Sequence, residues 1–170
     1  MAFRGPALLA LFLLMAVPAH GHKMGRPVPI GYSGGDLPQA HLAAQVVASY
    51  FAEQMGRETV LVEMGDVEEL FEQIVTRKTP MAVVPFVPAD EVPEGVVYVF
   101  RGFDTGVGIF DLVMGREARE DLQFSLVPRY MELLSSRLTY DAWEKGIIRV
   151  SGGEGVRKVA LEMLREADLL

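Results

Sequence analysis

Cysteine is absent from this chain of 170 residues. Its absence excludes disulfide bonds, thiolate metal sites, a nucleophilic thiol and lipid attachment through an N-terminal cysteine. Stability must therefore come from a hydrophobic core, and half of the residues are apolar, which is enough to build one. Charged residues make up 23% of the sequence, an ordinary share that argues against intrinsic disorder.

Basic residues are too few for a nucleic-acid-binding protein. The chain has 16 Lys and Arg against 23 Asp and Glu, a formal net charge of −7. Nucleic-acid binding depends on a basic surface that neutralises phosphates, so we expect no nucleic-acid partner. The acidic balance is compatible with a cationic or zwitterionic ligand.

Signatures of catalysis are also missing. Of the three histidines only His41 lies outside the N-terminal leader, and no Gly-x-Ser-x-Gly elbow occurs. Residues 31–36 (Gly-Tyr-Ser-Gly-Gly-Asp) superficially resemble a phosphate loop, but they lack Gly-Lys-Ser/Thr and the full dinucleotide-binding pattern. The acidic residues between 63 and 72 have the spacing of a solvated helix face. We therefore predict that the chain is not an enzyme and needs no cofactor.

One long apolar run occurs, over residues 7–17, behind a positively charged start. It is too short to cross a bilayer comfortably, and Val17-Pro18-Ala19 supplies small residues around a cleavage point. A cleaved secretory signal is therefore favoured over a retained membrane helix, and we expect a secreted or periplasmic protein. The predicted organisation is a signal peptide over 1–21, a flexible leader over 22–26 and a single α/β domain over 27–170.

The leader offers a conditional metal site. Cleavage after Ala19 would place His20-Gly21-His22 at the new amino terminus. A free amino group with a histidine at the third position can bind Cu(II) or Ni(II) in a square-planar set of nitrogens. We favour the simpler interpretation, a polar segment after the cut, because the metal geometry requires a start at His20. A metal-handling secreted protein is thus a third, weaker functional hypothesis.

The segment 27–86 alternates between strand and helix patterns. Such alternation predicts a parallel sheet with helical crossovers. Asp36 can cap the first helix and Gly56 can end it, while Asp66 and Glu69 have the spacing of a capping box. The predicted elements are a strand over 27–33, a helix to Met55, a strand over 59–64, a second helix and a strand over 81–86.

The second half of the chain leaves more alternatives open. Two strand-like runs, 96–100 and 107–113, fit a hairpin or a longer turn. Residues 116–137 have a helical pattern that contains Pro128, which fits two helices or one kinked helix. The remaining predictions are a short helix capped by Thr139 and running to Glu144, a strand remnant at 147–150 and an amphipathic helix over 155–169.

A ligand of an open parallel sheet binds beyond the carboxyl ends of its strands. The predicted ligand-binding residues at this edge are Tyr32, Ser33, Gly34, Asp36, Glu63, Asp66 and Phe86. Tyr32 and Phe86 can offer aromatic faces to a cation, with Glu63 or Asp66 as the counter-charge. The alternatives are strand-end packing for the two aromatic residues and helix capping for the two aspartates.

Residues 27–86 resemble the first lobe of a type 2 periplasmic solute-binding protein, of the glycine betaine/choline type that serves ABC transporters. The likeness is carried by residues 28–33 (Val-Pro-Ile-Gly-Tyr-Ser) and 63–70 (Glu-Met-Gly-Asp-Val-Glu-Glu-Leu), and near the end by 138–143 and 156–160. The resemblance implies a three-layer α/β sandwich with a mainly parallel sheet and antiparallel return strand(s). It also implies a small zwitterionic or cationic solute and an ABC-type uptake system.

The chain departs from that family in size. Its members have two lobes that close on the ligand, whereas here only residues 87–138 separate the first three strands from the closing helices. The resemblance therefore implies a single lobe, whose partners would be the transporter's membrane subunit or a second lobe or chain. The alternative function is a non-transport envelope interaction or sensor module that retains the fold without tight ligand binding.

Overall fold

The computed structural model describes residues 26–34 and 37–170. The predicted signal peptide, most of the leader with His20 and His22, and Asp36 lie outside the described residues. The strands are β1 (Val28–Ser33), β2 (Thr59–Met64), β3 (Met81–Pro85), β4 (Val96–Asp104) and β5 (Ile109–Gly115). The helices are α1 (Pro38–Met55), α2 (Val67–Val75), α3 (Arg116–Glu120), α4 (Val127–Arg137), α5 (Tyr140–Ser151) and α6 (Val156–Glu166), with 3₁₀ turns at Ala89–Glu91 and Leu122–Phe124.

The five strands form one mixed sheet in the order β2-β1-β3-β5-β4. β1 pairs in parallel with β2 and β3, whereas β5 runs antiparallel to both β3 and β4. The α/β class and the crossover pattern of residues 27–86 are thereby confirmed. The hairpin alternative for the second half is correct as well, since β4 and β5 are neighbours joined by a turn at 105–108.

Helix α1 is the centre of the larger core. One stripe of large side chains at helical spacing is inaccessible to solvent, and alanines fill most of the other faces. The stripe consists of Leu42, Val46, Val47, Tyr50 and Phe51. Small side chains let neighbouring elements approach closely on several sides, so α1 contacts the sheet as well as α4, α5 and α6. The helix ends at Gly56, which has the left-handed conformation predicted for a C-terminal cap.

Helix α2 covers the opposite face of the sheet and has a smaller core of its own. Its first turn is the predicted capping box: Asp66 Oδ1 accepts a hydrogen bond from the Glu69 N–H (2.8 Å), and Glu69 Oε2 accepts one from the Gly65 N–H (2.9 Å). Leu70 packs directly over Gly31 of β1. These contacts fix the start of α2 at the carboxyl end of β2.

The helical second half corrects one prediction. Residues 116–137 are divided as the two-helix alternative required, with Pro128 in the first turn of α4. Residues 147–150 are wrong as a strand remnant, because α5 continues through them to Ser151. The β-branched residues there favour a strand locally, but Gly146 lets α5 approach α1 and α6, and this packing outweighs the local preference.

Candidate ligand-binding site

A groove lies where the parallel strands end. Its cavity of about 600 Å³ is walled by the first two turns of α2 and by the chain that follows β3. This is the edge at which the sequence placed a ligand. The lining residues are Val67, Glu68, Phe71, Pro85, Phe86, Val87 and Glu91.

The groove combines apolar and acidic side chains. Phe71 and Phe86 contribute two phenyl rings, and Glu68 and Glu91 contribute two solvent-accessible carboxylates. Among the described residues, no basic side chain lines this cavity. Aromatic faces and carboxylates together attract an ammonium group that carries apolar substituents, so the chemistry of the lining suits a cationic or zwitterionic ligand.

Phe86 is positioned by an internal cation. Its side chain is 54% exposed, yet the guanidinium of Arg101 lies over its ring, with Cζ 5.2 Å from the ring centroid. The same guanidinium lies 4.3 Å from the ring centroid of Tyr98. The guanidinium of Arg101 therefore already binds the Phe86 ring on one side. A ligand can contact this ring only from the side of the groove.

A β-bulge aims Arg101 at these rings. Between the pairs Phe100–Leu112 and Phe103–Phe110, β4 has one residue more than β5, so Arg101 and Gly102 both oppose Asp111. The bulge removes Gly102 from the regular ladder. Its N–H donates instead to Asp111 Oδ1 at 2.9 Å.

Asp111 is a fully buried carboxylate beneath the groove wall. Its Oδ2 accepts a hydrogen bond from the Val87 N–H (3.4 Å) and lies 4.0 Å from Arg101 Nε. The Val87 carbonyl accepts hydrogen bonds from Tyr98 Oη (2.6 Å) and Arg101 Nη2 (3.4 Å). Both backbone groups of Val87 are thus tied to the hairpin, which fixes the segment that carries Phe86.

Tyr32 lies on the other face of the sheet. It belongs to the α1 core and stacks on His41, with ring centroids 5.2 Å apart and planes 15° apart. Burial, and secondarily the neighbouring Glu63 carboxylate, raises the pKa of Tyr32 to about 12. Tyr32 and Phe86 therefore do not form a joint aromatic site, and the strand-end packing alternative describes Tyr32.

The other predicted residues are scattered around this edge. Ser33 is buried, and Glu63 is exposed on the Tyr32 side. Gly34 permits close approach to α1, since a side chain there would meet the Ala40 Cβ at 2.3 Å. Asp66 caps α2 beside the groove, as its capping alternative stated.

Sequence reasoning missed three residues that line the groove, Glu68, Phe71 and Glu91, and it also missed Arg101, which stacks on Phe86 from outside the lining. A local signal existed for Phe71, which follows Glu68 at a helical spacing of three and therefore shares its face. The position of Arg101 over Phe86 depends on the bulge in β4 and on Asp111 of β5. Neither the bulge nor this strand pairing can be predicted from a local sequence pattern.

A second cavity, of about 500 Å³, lies at the opposite edge of the sheet. It is bounded by the start of β3, the end of β5 and the first turn of α3. Its wall contains both signs of charge, including an ion pair between Arg77 and Glu117. This mixed wall selects no class of ligand.

Three comparisons with known proteins gave no match: no protein-family model, no curated protein and no solved structure resembles the chain significantly. Within the described ranges, no three His, Asp or Glu side chains are grouped so that they could hold a metal ion. None of the helices in those ranges has the length and apolar character needed to cross a membrane.

Proposed function

We propose that this chain is a secreted or periplasmic solute-binding domain, built like one lobe of a type 2 periplasmic binding protein, for a small cationic or zwitterionic solute. The observation that carries the proposal is the strand-end groove, which pairs two phenyl rings with two carboxylates. The mainly parallel sheet with its antiparallel strand β5 supports the lobe architecture.

In the proposed complex the cationic end of the solute rests on Phe71 and Phe86. Glu68 and Glu91 supply the counter-charge from the two walls. A carboxylate at the other end of a zwitterion would extend past Phe86 toward the guanidinium of Arg101, which lies outside the cavity lining on the other side of that ring. The Arg101 side chain is 43% exposed, and its Nε lies 4.0 Å from Asp111 Oδ2. That distance leaves the guanidinium with donors for a second carboxylate.

The groove is open on one side, so a single copy of the domain buries only part of a ligand. Binding sites that enclose most of their ligand's surface achieve higher affinity. We therefore propose modest affinity for the isolated domain, and a second lobe, a second chain or the membrane subunit of an ABC-type transporter as the partner that closes the site.

A thermal-shift screen tests the proposal. Glycine betaine, choline, carnitine and amino acids at millimolar concentration should raise the melting temperature by several degrees if one of them binds the native state. Phe86→Ala should abolish the shift, whereas Ile148→Ala, which removes an exposed apolar side chain from α5, should leave it unchanged. A flat response across the whole panel, or an undiminished shift in Phe86→Ala, would overturn the proposal.

A further inference from the structure

The negative charge of this protein is concentrated in one segment. Residues 58–94 contain nine acidic and two basic residues, a net charge of −7 that equals the net charge of the whole chain. The segment comprises β2, α2, β3 and the following 3₁₀ turn. Six of these acidic residues lie on α2, on its N-cap or on the turn, namely Asp66, Glu68, Glu69, Glu72, Asp90 and Glu91. The face of the molecule formed by α2 and this turn is therefore acidic, while the rest of the chain is balanced.

The strand-end cavity continues along α2. A neighbouring cavity of about 340 Å³ shares Glu68, Phe71 and Glu91 with it and extends to Glu72 and Val75. The helical residues of this wall, at positions 68, 71, 72 and 75, have the spacing of a single helix face. We call the combined feature the α2 groove. Along the helix it extends for about 10 Å, given the rise of an α-helix, which exceeds the needs of one small solute.

The floor of the α2 groove is apolar and its rim is acidic. Phe71 forms the floor, and the two ends carry exposed apolar side chains, Phe86 (54% exposed) and Val75 (49% exposed). Glu68 and Glu72 line the helix side of the rim, and Glu91 lines the opposite side. An apolar floor between two acidic walls is complementary to an amphipathic segment with basic flanks.

We propose that the α2 groove docks a basic amphipathic segment of a partner protein. Apolar side chains of that segment would cover Phe71, Val75 and Phe86, and its Lys or Arg side chains would pair with Glu68, Glu72 and Glu91. Charge complementarity selects this occupant, because an acidic face repels anionic lipid surfaces and nucleic acids. The inference goes beyond solute binding, because it assigns the groove to a protein partner. That segment would compete with a solute for Glu68, Phe71 and Glu91, which both cavities share.

A designed peptide tests this surface. The probe is a fluorescein-labelled helical peptide with Leu at i, i+3, i+7 and Lys at flanking positions, compared with a scrambled peptide of identical composition. Fluorescence anisotropy should show the amphipathic peptide binding at least about tenfold more tightly than the scrambled one, with affinity falling as salt rises. Equal binding of the two peptides would overturn the proposal, because net charge alone would then explain it.

Matched variants locate the site. Glu68→Gln combined with Glu72→Gln should weaken the peptide about tenfold, whereas Glu144→Gln with Glu166→Gln, an equal charge change on exposed positions of α5 and α6, should change it less than about twofold. An equal loss in both pairs would contradict a localised groove. Displacement of the peptide by equimolar spermidine would instead identify a small polycation as the occupant and overturn the protein partner.

Failure of this proposal can be separated from failure of solute binding. Glu72 lines the distal cavity and not the strand-end cavity. Glu72→Lys should therefore lower peptide affinity and leave any solute-induced thermal shift intact, while circular dichroism checks that the variant is folded. Loss of neither signal in Glu72→Lys would contradict the docking surface alone.

Discussion

The backbone N–H of Gly102 and the carboxylate of Asp111 are joined by a hydrogen bond of 2.9 Å. This contact replaces a backbone hydrogen bond between β4 and β5 that is lost at the bulge in β4. The carboxylate is fully buried, and it also supplies the negative charge beneath Arg101. One side chain thus holds together the hairpin, the strand-end segment and the guanidinium that stacks on Phe86.

Removal of this carboxylate should be costly. In Asp111→Ala the buried N–H of Val87 and the partly buried N–H of Gly102 lose their acceptor, and Arg101 loses its counter-charge. We expect a decrease of about 2–4 kcal/mol in the free energy of unfolding, measured by urea denaturation. Asp90→Ala, at an exposed position of the 3₁₀ turn, serves as control. Equal effects of the two substitutions would contradict the structural role of Asp111.

The planar guanidinium of Arg101 should matter apart from its charge. Arg101→Lys keeps the charge but loses the flat stacking on Phe86 and Tyr98, and we expect it to destabilise the fold by about 1 kcal/mol. Arg101→Met also leaves Asp111 without a neighbouring cation and should cost about 2 kcal/mol. Chemical denaturation measures both, with Arg129→Lys on α4 as the reference. If Arg101→Lys unfolds with the same free energy as the natural chain, the stacking of the guanidinium contributes nothing to stability.

Removal of the hydroxyl group should affect the stability of the protein differently at Tyr50 and at Tyr98. Tyr50 Oη is buried with no hydrogen-bond partner among the described residues, whereas Tyr98 Oη donates to the Val87 carbonyl at 2.6 Å. Tyr50→Phe should therefore leave stability unchanged or raise it by about 1 kcal/mol, and Tyr98→Phe should lower it by about 1 kcal/mol. Thermal and urea unfolding of the pair provide the comparison, and a substantial loss in Tyr50→Phe would show that its hydroxyl is satisfied.

Gly31, the single glycine of β1, should not tolerate a side chain. A Cβ at this position would lie 2.3 Å from Leu70 Cδ2, and Leu70 is fully buried between α2 and the sheet. Gly31→Ala should lower the free energy of unfolding by about 1–3 kcal/mol because α2 must shift outward. At Gly155 a Cβ meets open space, so Gly155→Ala should cost less than about 1 kcal/mol. Similar losses at both positions would show that α2 moves at little cost.

The ion cluster between α5 and α6 predicts a pH dependence. Arg149 donates two hydrogen bonds of 2.9 Å to Glu154 and also pairs with Glu162, while Lys158 contacts Glu154 at 3.3 Å. Hydrogen bonds from Arg149 first, and from Lys158 second, lower the pKa of Glu154 from 4.5 to about 2.

Since the folded-state pKa of Glu154 is depressed, its stabilising contribution is present above pH 4.5 and is lost as the pH falls toward 2. The difference in unfolding free energy between the natural chain and Glu154→Gln should accordingly narrow over that interval. Urea denaturation at a series of pH values measures it. A difference that stays constant from neutral pH to pH 2 would contradict the proposed coupling.

The elements of residues 27–86 could be predicted because their signals are local. Strand β2 has the bounds expected from its apolar run, and the capping box at Asp66 and the C-terminal cap at Gly56 mark helix ends by backbone chemistry. The interpretation of 147–150 failed because its helical state depends on packing against α1 and α6, which no short window of sequence contains.

The candidate site was predicted only in part. The main difference between prediction and structure is the face of the sheet on which Tyr32 lies, and it follows from the alternation of side chains along a strand. Tyr32 is the register partner of Val83, so these two side chains share a face of the sheet. Phe86 is three residues beyond Val83, and an odd separation along an extended chain places it on the opposite face. The cavity lies at the edge named from the sequence, but whether Tyr32 and Phe86 share a face of the sheet could be learned only from the register between strands.

The hairpin turn has a further consequence. Both the N–H and the hydroxyl of Thr105 donate to the Gly108 carbonyl, at 3.0 and 2.8 Å, so the adjoining strand ends are held side by side. They emerge at the same edge as the groove. We expect that a folded module inserted between Gly106 and Val107 would leave and re-enter through adjacent strands and would displace the Tyr140 ring, which packs against Gly106. A lobe added at this turn would start from the same edge of the sheet as the groove.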